Sequence, residues 1–183
     1  MAYGPTHPEP TLSRYLTECF APEPMRQRLA DAARTFVVAE TESGDWLGYA
    51  ELGRGACDPG RVTLTRSLPG TTALEVVRFY VAPAHHGRGV AQSLMRACEA
   101  VAWESGCDVL WLQAWQEAAQ ALRFYEKAGF APHGTAVFQF GERVDQDYLL
   151  AKPVSAGASA RNECRHREGA WSPGSPRSPT CPH

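Results

Sequence analysis

The sequence lacks any long hydrophobic run, although 44% of its 183 residues are hydrophobic. No apolar stretch approaches the ~18–20 residues that cross a bilayer, so no membrane partner is expected. The first ten residues, MAYGPTHPEP, have neither a basic start nor an apolar core, so no secretory signal is visible. These absences predict a cytoplasmic protein.

A surplus of positive charge is also missing. The chain has 18 basic and 20 acidic residues, and its net charge of −2 offers little attraction to nucleic acid or an anionic membrane. The six cysteines form no C-x-x-C pair, and no histidine spacing around them is typical of zinc. We therefore expect reduced cysteines, no metal and no nucleic-acid partner.

β-Branched residues become rare after Pro153. The following segment, SAGASARNECRHREGAWSPGSPRSPTCPH, is instead rich in Ser, Pro, Gly and Arg. Such a composition cannot bury enough apolar surface to offset the entropy lost on ordering. The sequence thus predicts one folded domain over residues 1–153 and a disordered tail over residues 154–183.

Hydrophobic periodicity predicts an α/β domain. The expected elements are helices at 11–20 and 22–31, strands at 35–40, 45–54, 61–67 and 73–82, a helix at 89–106, a strand at 108–115, a helix at 117–129, and strands at 130–141 and 145–154. Strands alternate with helices in the middle of the chain, which indicates a sheet flanked by helices. Strand pairs at both ends indicate local antiparallel pairing.

A glycine-bearing loop, PAHHGRGVA at residues 83–91, separates the strongest strand from the next helix. Unpaired N–H groups at a helix N-terminus attract anions, and glycine lets a phosphate approach the backbone. The spelling matches neither a P-loop nor the G-x-G-x-x-G dinucleotide fingerprint. On spacing alone, a tight turn without a ligand is equally well supported.

Two stretches resemble a known family. RFYVAPAHHGRGVAQSLM resembles motif A of the GCN5-related N-acetyltransferases (GNAT), in which V-x-P leads into Q/R-x-x-G-x-G/A. AQALRFYEKAGF resembles motif B, with its A-x-x-F-Y-x-x-x-G-F pattern. The closing stretch GTAVFQFGERVDQDYLL is similar to PaiA-like polyamine acetyltransferases. The resemblance covers roughly residues 11–152.

The resemblance implies a mixed, splayed central sheet and acetyl-CoA as co-substrate. Its pyrophosphate would lie at the helix N-terminus, and its pantetheine would run along the open edge of the preceding strand like an additional strand. The binding positions carried over by this resemblance are Phe79, Tyr80, Val81, Gly87, Arg88, Gly89, Val90, Ala91 and Gln92.

The same resemblance suggests two catalytic residues. Glu75 is the candidate base for the protonated amine, and Tyr125 of motif B is the candidate acid for the leaving thiolate. Glu75 lies six residues before Val81, so strand alternation predicts that both occupy one face. The alternatives stay open: Glu75 as a surface carboxylate or one paired with Arg78, and Tyr125 as a core aromatic.

The chain departs from the family pattern at two positions. Ala118 stands where motif B usually has an Asn that bonds the pantetheine, and His86 replaces the usual Arg or Gln. The leading hypothesis is acetylation of a primary amine on a small molecule such as a polyamine. The alternatives are an antibiotic-amine acetyltransferase, a protein N-acetyltransferase, against which Gln113 argues mildly, and a non-catalytic acyl-CoA-binding protein. A homodimer is compatible with the sequence.

Overall fold

The computed structural model describes residues 9–54, 62–140 and 143–155. Its elements are α1 (Glu9–Phe20), α2 (Pro22–Ala30), β1 (Arg34–Glu40), β2 (Trp46–Gly53), β3 (Val62–Leu64), β4 (Ala73–Val81), a 3-10 turn (Pro83–His85), α3 (Val90–Glu104), β5 (Val109–Trp115), α4 (Ala119–Lys127), β6 (Ala131–Phe140) and β7 (Arg143–Pro153). Every helix and strand expected from periodicity is present, and the 3-10 turn is the element that periodicity did not predict.

The seven strands form one sheet in the order β1-β2-β4-β5-β7-β6-β3. β4 and β5 are parallel, and the other neighbouring pairs are antiparallel. The predicted antiparallel pairs near both ends of the chain are therefore confirmed, as is the mixed α/β fold with helices beside a central sheet.

The larger core lies on the sheet face that carries α3 and α4. Leu94 and Cys98 of α3 are fully buried there, because apolar residues at helical spacing bring one stripe of the helix onto the sheet. Burying a leucine side chain contributes about 1.5–3 kcal/mol, so this stripe anchors α3 firmly. Val154, which the sequence prediction assigned to the tail, also belongs to this core. The rest of that tail, from residue 156 onward, lies outside the described residues.

The sheet splays between its two parallel strands. The ladder between β4 and β5 contains three residue pairs, from Ala73–Val109 to Glu75–Trp111. Beyond Glu75 the two strands separate, while β4 stays paired with β2 as far as Val81. One edge of β4 is thereby left open over residues 76–81, as the family resemblance implied.

A β-bulge divides β4 into two parts. Glu51 of β2 pairs with Arg78, whereas the next residue, Leu52, pairs with Val76, so Val77 is the extra residue. Side chains alternate along a regular strand, but Val76 and Phe79, three residues apart, both pack into the α3-side core. The prediction that Glu75 and Val81 share a face is therefore wrong, because the inserted residue reverses the alternation between them.

Candidate active site

The glycine loop connects β4 to α3, and two of its residues lie in the left-handed region of backbone conformation. Gly87 has φ +74° and Gly89, the N-cap of α3, has φ +83°. A Cβ built at either position meets nothing within 4 Å, so the space beside the backbone is open. No side chain caps the helix, and its first intrahelical bond runs from Ser93 N–H to the Gly89 carbonyl.

The first turn of α3 consequently offers backbone donors to the outside. The N–H groups of Val90, Ala91 and Gln92 precede that first bond, and such groups need a partner from outside the helix. The exposed Arg88 lies in the same loop. Open space, free donors and the positive end of the helix dipole together fit a phosphate group.

His86 has a structural role that the sequence did not indicate. Its Nε2 lies 2.9 Å from the carbonyl oxygen of Val81, and only an Nε2–H donor fits that acceptor. The contact ties the loop back to the last residue of β4. The substitution of His for Arg or Gln therefore fixes the start of the loop, and it occupies the Val81 carbonyl.

Tyr125 lies in an aromatic cluster on the α3 side of the sheet. Its ring contacts Phe79 of β4, Phe124 of α4 and Phe130, with centroid separations of 6.3, 5.3 and 5.8 Å. Phe124 also stacks on Phe79 at 5.6 Å. Burial, with a smaller contribution from Cys98, raises the pKa of Tyr125 to about 12, so the phenol stays protonated at neutral pH.

Glu75 lies on the opposite face, beside α1 and α2. It pairs with Gly53 of β2, and Gly53 in turn pairs with Arg34 of β1. Burial is the largest influence and raises the pKa of the Glu75 carboxyl above its ordinary value, although Arg34 and Arg78 lower it. A raised carboxyl pKa lies nearer to neutral pH, where a general base is most effective.

Sequence reasoning missed the most heavily buried carboxylate near this site. Glu51 is 0% exposed and forms ion pairs with Arg28 of α2 at 3.4 Å, with Arg78 of β4 at 2.7 Å, and with Arg34 of β1. Arg78, the candidate partner of Glu75, thus forms an ion pair with Glu51, and it also lowers the pKa of the Glu75 carboxyl. The only signal in the sequence is an acid between apolar neighbours in an otherwise hydrophobic strand, WLGYAELG.

An open pocket lies between α1, α2 and the sheet, next to this charged cluster. Its volume is about 350 Å³. It is lined by Glu18, Cys19, Pro24, Gln27, Arg28, Asp31, Arg34 and Arg78. Phe20 of α1 joins the same face through its edge-to-face contact with Tyr80, at 6.1 Å. The pocket thus lies on the face of the sheet opposite to Tyr125, and Arg34 and Arg78 line it.

A second buried acid lies further along the same face of the sheet. Asp147 of β7 pairs with Trp115 at the end of β5, and Asp145 lies two residues before it. Burial, followed by repulsion from Asp145, raises the pKa of Asp147 to about 6. Asp147 belongs to the closing stretch that resembles PaiA-like enzymes, but sequence reasoning assigned no role to its carboxyl.

Ala118 is the N-cap of α4 and provides no side-chain hydrogen bond to the helix. The departure from motif B therefore leaves both the helix start and the adjoining cleft without the polar side chain that the family usually has there. Over residues 9–54, 62–140 and 143–155, no group of three or more His, Cys, Asp or Glu side chains could hold a metal ion. None of the helices in those ranges is long and apolar enough to span a membrane.

Known proteins with similar sequences or folds are acetyltransferases. The uncharacterized N-acetyltransferase Rv2669 of Mycobacterium tuberculosis is 32% identical over 126 residues, which are 69% of this chain and 71% of that protein. Streptothricin acetyltransferase of Streptomyces lavendulae is 31% identical over 99 residues, or 54% of this chain and 45% of that one. The PaiA N-acetyltransferase of Thermoplasma acidophilum, solved with coenzyme A, has a TM-score of 0.62 at 17% identity, with 83% of each chain covered.

These likenesses carry different weight. At 17% identity the PaiA structure supports the fold, and with it the splayed sheet expected from the two motifs. A family model described as the acetyltransferase (GNAT) family matches residues 5–130, which include both the glycine loop and Tyr125. This chain therefore belongs to the acetyltransferase (GNAT) family.

Proposed function

We propose that this protein transfers the acetyl group of acetyl-CoA to a primary amine of a small molecule, with polyamines as the first class to test. The observation that carries the proposal is the arrangement around β4. Its edge opens just after Glu75, Tyr125 contacts the opposite face at Phe79, and the open glycine loop follows the end of the strand.

Acetyl-CoA would be held by backbone groups. The pyrophosphate would accept hydrogen bonds from the first turn of α3, at Val90, Ala91 and Gln92, with Arg88 adding positive charge. The pantetheine would pair with the open edge of Phe79, Tyr80 and Val81, as a peptide adds to a sheet, with Val81 offering its N–H because His86 contacts its carbonyl. The open space beside Gly87 and Gly89 supports this placement, since a side chain there would hold a phosphate away.

Glu75 would accept a proton from the bound ammonium group. A primary amine with a pKa near ~10.4 is almost entirely protonated at pH 7, so it becomes a nucleophile only after losing that proton. The neutral nitrogen then forms a bond to the thioester carbon. A backbone N–H of β4 would stabilise the negative charge that develops on the carbonyl oxygen.

Tyr125 would complete the transfer on the other side. As the carbon–sulfur bond breaks, the electron pair goes to sulfur, and the Tyr125 hydroxyl donates its proton to the thiolate. The nitrogen loses its second proton to solvent to give the amide, and solvent returns a proton to Tyr125. The raised pKa of Tyr125 supports this role in one respect, because the phenol holds its proton throughout the pH range in which amines react.

A second substrate class has specific support. The relative at 31% identity is a streptothricin acetyltransferase, which favours an antibiotic amine as the alternative acceptor. The resemblance of the closing stretch to PaiA-like enzymes favours a polyamine instead. Both substrates are amines, so one assay compares them.

The test is an amine panel with free CoA as the readout. Purified protein is incubated with acetyl-CoA and, separately, spermidine, spermine, streptothricin, lysine and a short peptide with a free N-terminus. We expect turnover with one small-molecule class and little with the peptide. Acetyl-CoA binding by calorimetry without turnover of any amine would contradict the enzymatic proposal and favour an acyl-CoA-binding protein.

A further inference from the structure

Glu51 is a fully buried acidic side chain that three guanidinium groups share. The arginines come from three separate elements: Arg28 from α2, Arg34 from β1 and Arg78 from β4. Taking such charges out of water is costly, and a buried ion-pair cluster is often no more stabilising than apolar residues of the same size. Its presence beside the candidate base therefore invites a functional explanation.

The sheet register places this cluster against Glu75. One row across the sheet runs from Arg34 through Gly53 to Glu75, and the position between the two charged residues carries no side chain. Glu51 precedes Gly53 by two residues and therefore points to the same face. Its own row contains Arg78, directly opposite on β4. The bulge at Val77 is what brings Arg78 and Glu75 onto one face.

Three charged groups act on Glu75 from the strands around it. Arg34 on β1 and Arg78 on β4 lower the pKa of the Glu75 carboxyl, and Glu51 on β2 raises it. Arg28 on α2 reaches the group only through Glu51, to which it is bonded. The neighbouring position on β5, Trp111, is uncharged. Glu51 is thus the anion that opposes two cations at the candidate base.

We propose that Glu51 is a positioning residue of this site, which orients Arg34 and Arg78 and offsets their positive charge beside the Glu75 carboxyl. The proposal rests on the proposed function, because it takes Glu75 to be the base for the amine. Without Glu51, Arg34 and Arg78 would lose the buried carboxylate that they share, and Arg34 would keep its ion pair with Asp31 at 3.2 Å. Both arginines would then favour the ionised form of Glu75 more strongly, so that it would accept a proton poorly.

The direct test measures the protonation of Glu75 without using activity. The protein is labelled with carboxyl-¹³C glutamate, and the Glu75 signal is assigned by its absence in Glu75→Gln. We expect Glu51→Gln to shift the titration of this signal to lower pH. We expect Arg34→Gln to shift it to higher pH, because one of the opposing cations is gone. A purely structural role would not produce shifts of opposite sign.

The matched control is Arg26→Gln. Arg26 lies on α2, two residues before Arg28, but its side chain is largely exposed and pairs with Glu23. Removing this charge should leave the Glu75 titration unchanged. If Glu51→Gln does not fold, Glu51→Asp replaces it: the buried charge is kept but drawn back from Arg34 and Arg78, so the Glu75 signal should again shift to lower pH. An unchanged titration in the folded variants, or shifts of the Glu51 and Arg34 variants in the same direction, would overturn the proposal.

Kinetics then separate this proposal from the proposed function. In active protein, the acidic limb of kcat/KM against pH should move with the Glu75 signal in both variants. If the signal moves in opposite directions but the limb stays in place, Glu51 acts on Glu75 as proposed, yet Glu75 is not the base. If the acidic limb disappears in Glu75→Gln while neither Glu51→Gln nor Arg34→Gln moves the Glu75 signal, Glu75 is the base but Glu51 does not act on it.

Discussion

Tyr125 and Glu75 lie against opposite faces of β4, and their surroundings differ: one is apolar and the other is charged. On the α3 side, Tyr125 lies among three phenylalanine rings, and burial alone dominates its pKa. On the α1–α2 side, Glu75 lies beside two arginines and a buried glutamate, whose influences oppose one another. The candidate acid beside β4 therefore has a pKa set mainly by burial, and the candidate base on β4 has a pKa that also depends on neighbouring charges.

The difference teaches how each residue should respond to change. An apolar surrounding keeps a phenol protonated over a wide pH range, so small electrostatic changes should matter little to Tyr125. A carboxyl among opposing charges depends on each of them, so Glu75 should respond to single charge changes at a distance. Four variants test these two responses, the glycine loop and the start of α4.

The largest effect is expected at the glycine loop, because neither candidate catalytic residue can act unless acetyl-CoA binds. Gly89→Val places a branched side chain where the phosphate should approach, and it should abolish acetyl-CoA binding in a calorimetric titration. The control is Gly44→Val in the turn between β1 and β2, which has a similar φ of +88° and equally open surroundings. Both variants carry backbone strain of about 1–3 kcal/mol, so only a difference in binding is informative. Retained affinity in folded Gly89→Val would rule out this phosphate site.

Tyr125→Phe tests the apolar face. The ring packing is kept and only the hydroxyl is lost, so kcat should fall by ~10²–10⁴-fold while acetyl-CoA affinity changes little. The loss should be the same from pH 7 to pH 9.5, because a phenol with a pKa of about 12 is protonated throughout. Tyr148→Phe, a partly buried tyrosine on β7, is the control. Activity near that of the unmodified protein would assign Tyr125 to packing alone.

Glu75→Gln tests the charged face. We expect a loss of about 10²-fold at pH 7, at the low end for a positioned base because solvent can also accept the amine proton. The loss should shrink at pH 9.5, where more of the amine is already neutral. Initial rates at the two pH values are the measurement. An equal loss at both would mean that Glu75 binds or orients the substrate without removing its proton.

The smallest effect concerns the start of α4, next to the apolar face. Ala118→Asn supplies the missing N-cap side chain and should raise the free energy of unfolding by about 0.5–2 kcal/mol. It should also tighten acetyl-CoA binding if the amide reaches the pantetheine as in motif B. Ala119→Asn, one residue inside the helix, cannot cap it and should do neither. Denaturant melts and calorimetry on both variants make the comparison.

The sequence predicted the path of the chain better than the surroundings of its acid and base. The order of strands and helices follows from periodicity, and the loop from Pro83 to Ala91 follows from its glycines. The bulge at Val77 was not predictable, because two adjacent valines in a strand give no signal of an extra residue. The Glu51 cluster was not predictable either, since Arg28, Arg34 and Arg78 come together only through the sheet register.

The bulge at Val77 also has a consequence that resembles a shift of reading frame. Before it, odd-numbered residues of β4 such as Glu75 face α1 and α2; after it, even-numbered residues such as Tyr80 do. Without the extra residue, side chains would alternate regularly along β4. Either Glu75 or the segment Phe79–Val81 would then face the opposite side of the sheet. One surplus residue lets both be correct, and it can be accommodated there because β5 has already parted from β4 and no longer constrains its alternation.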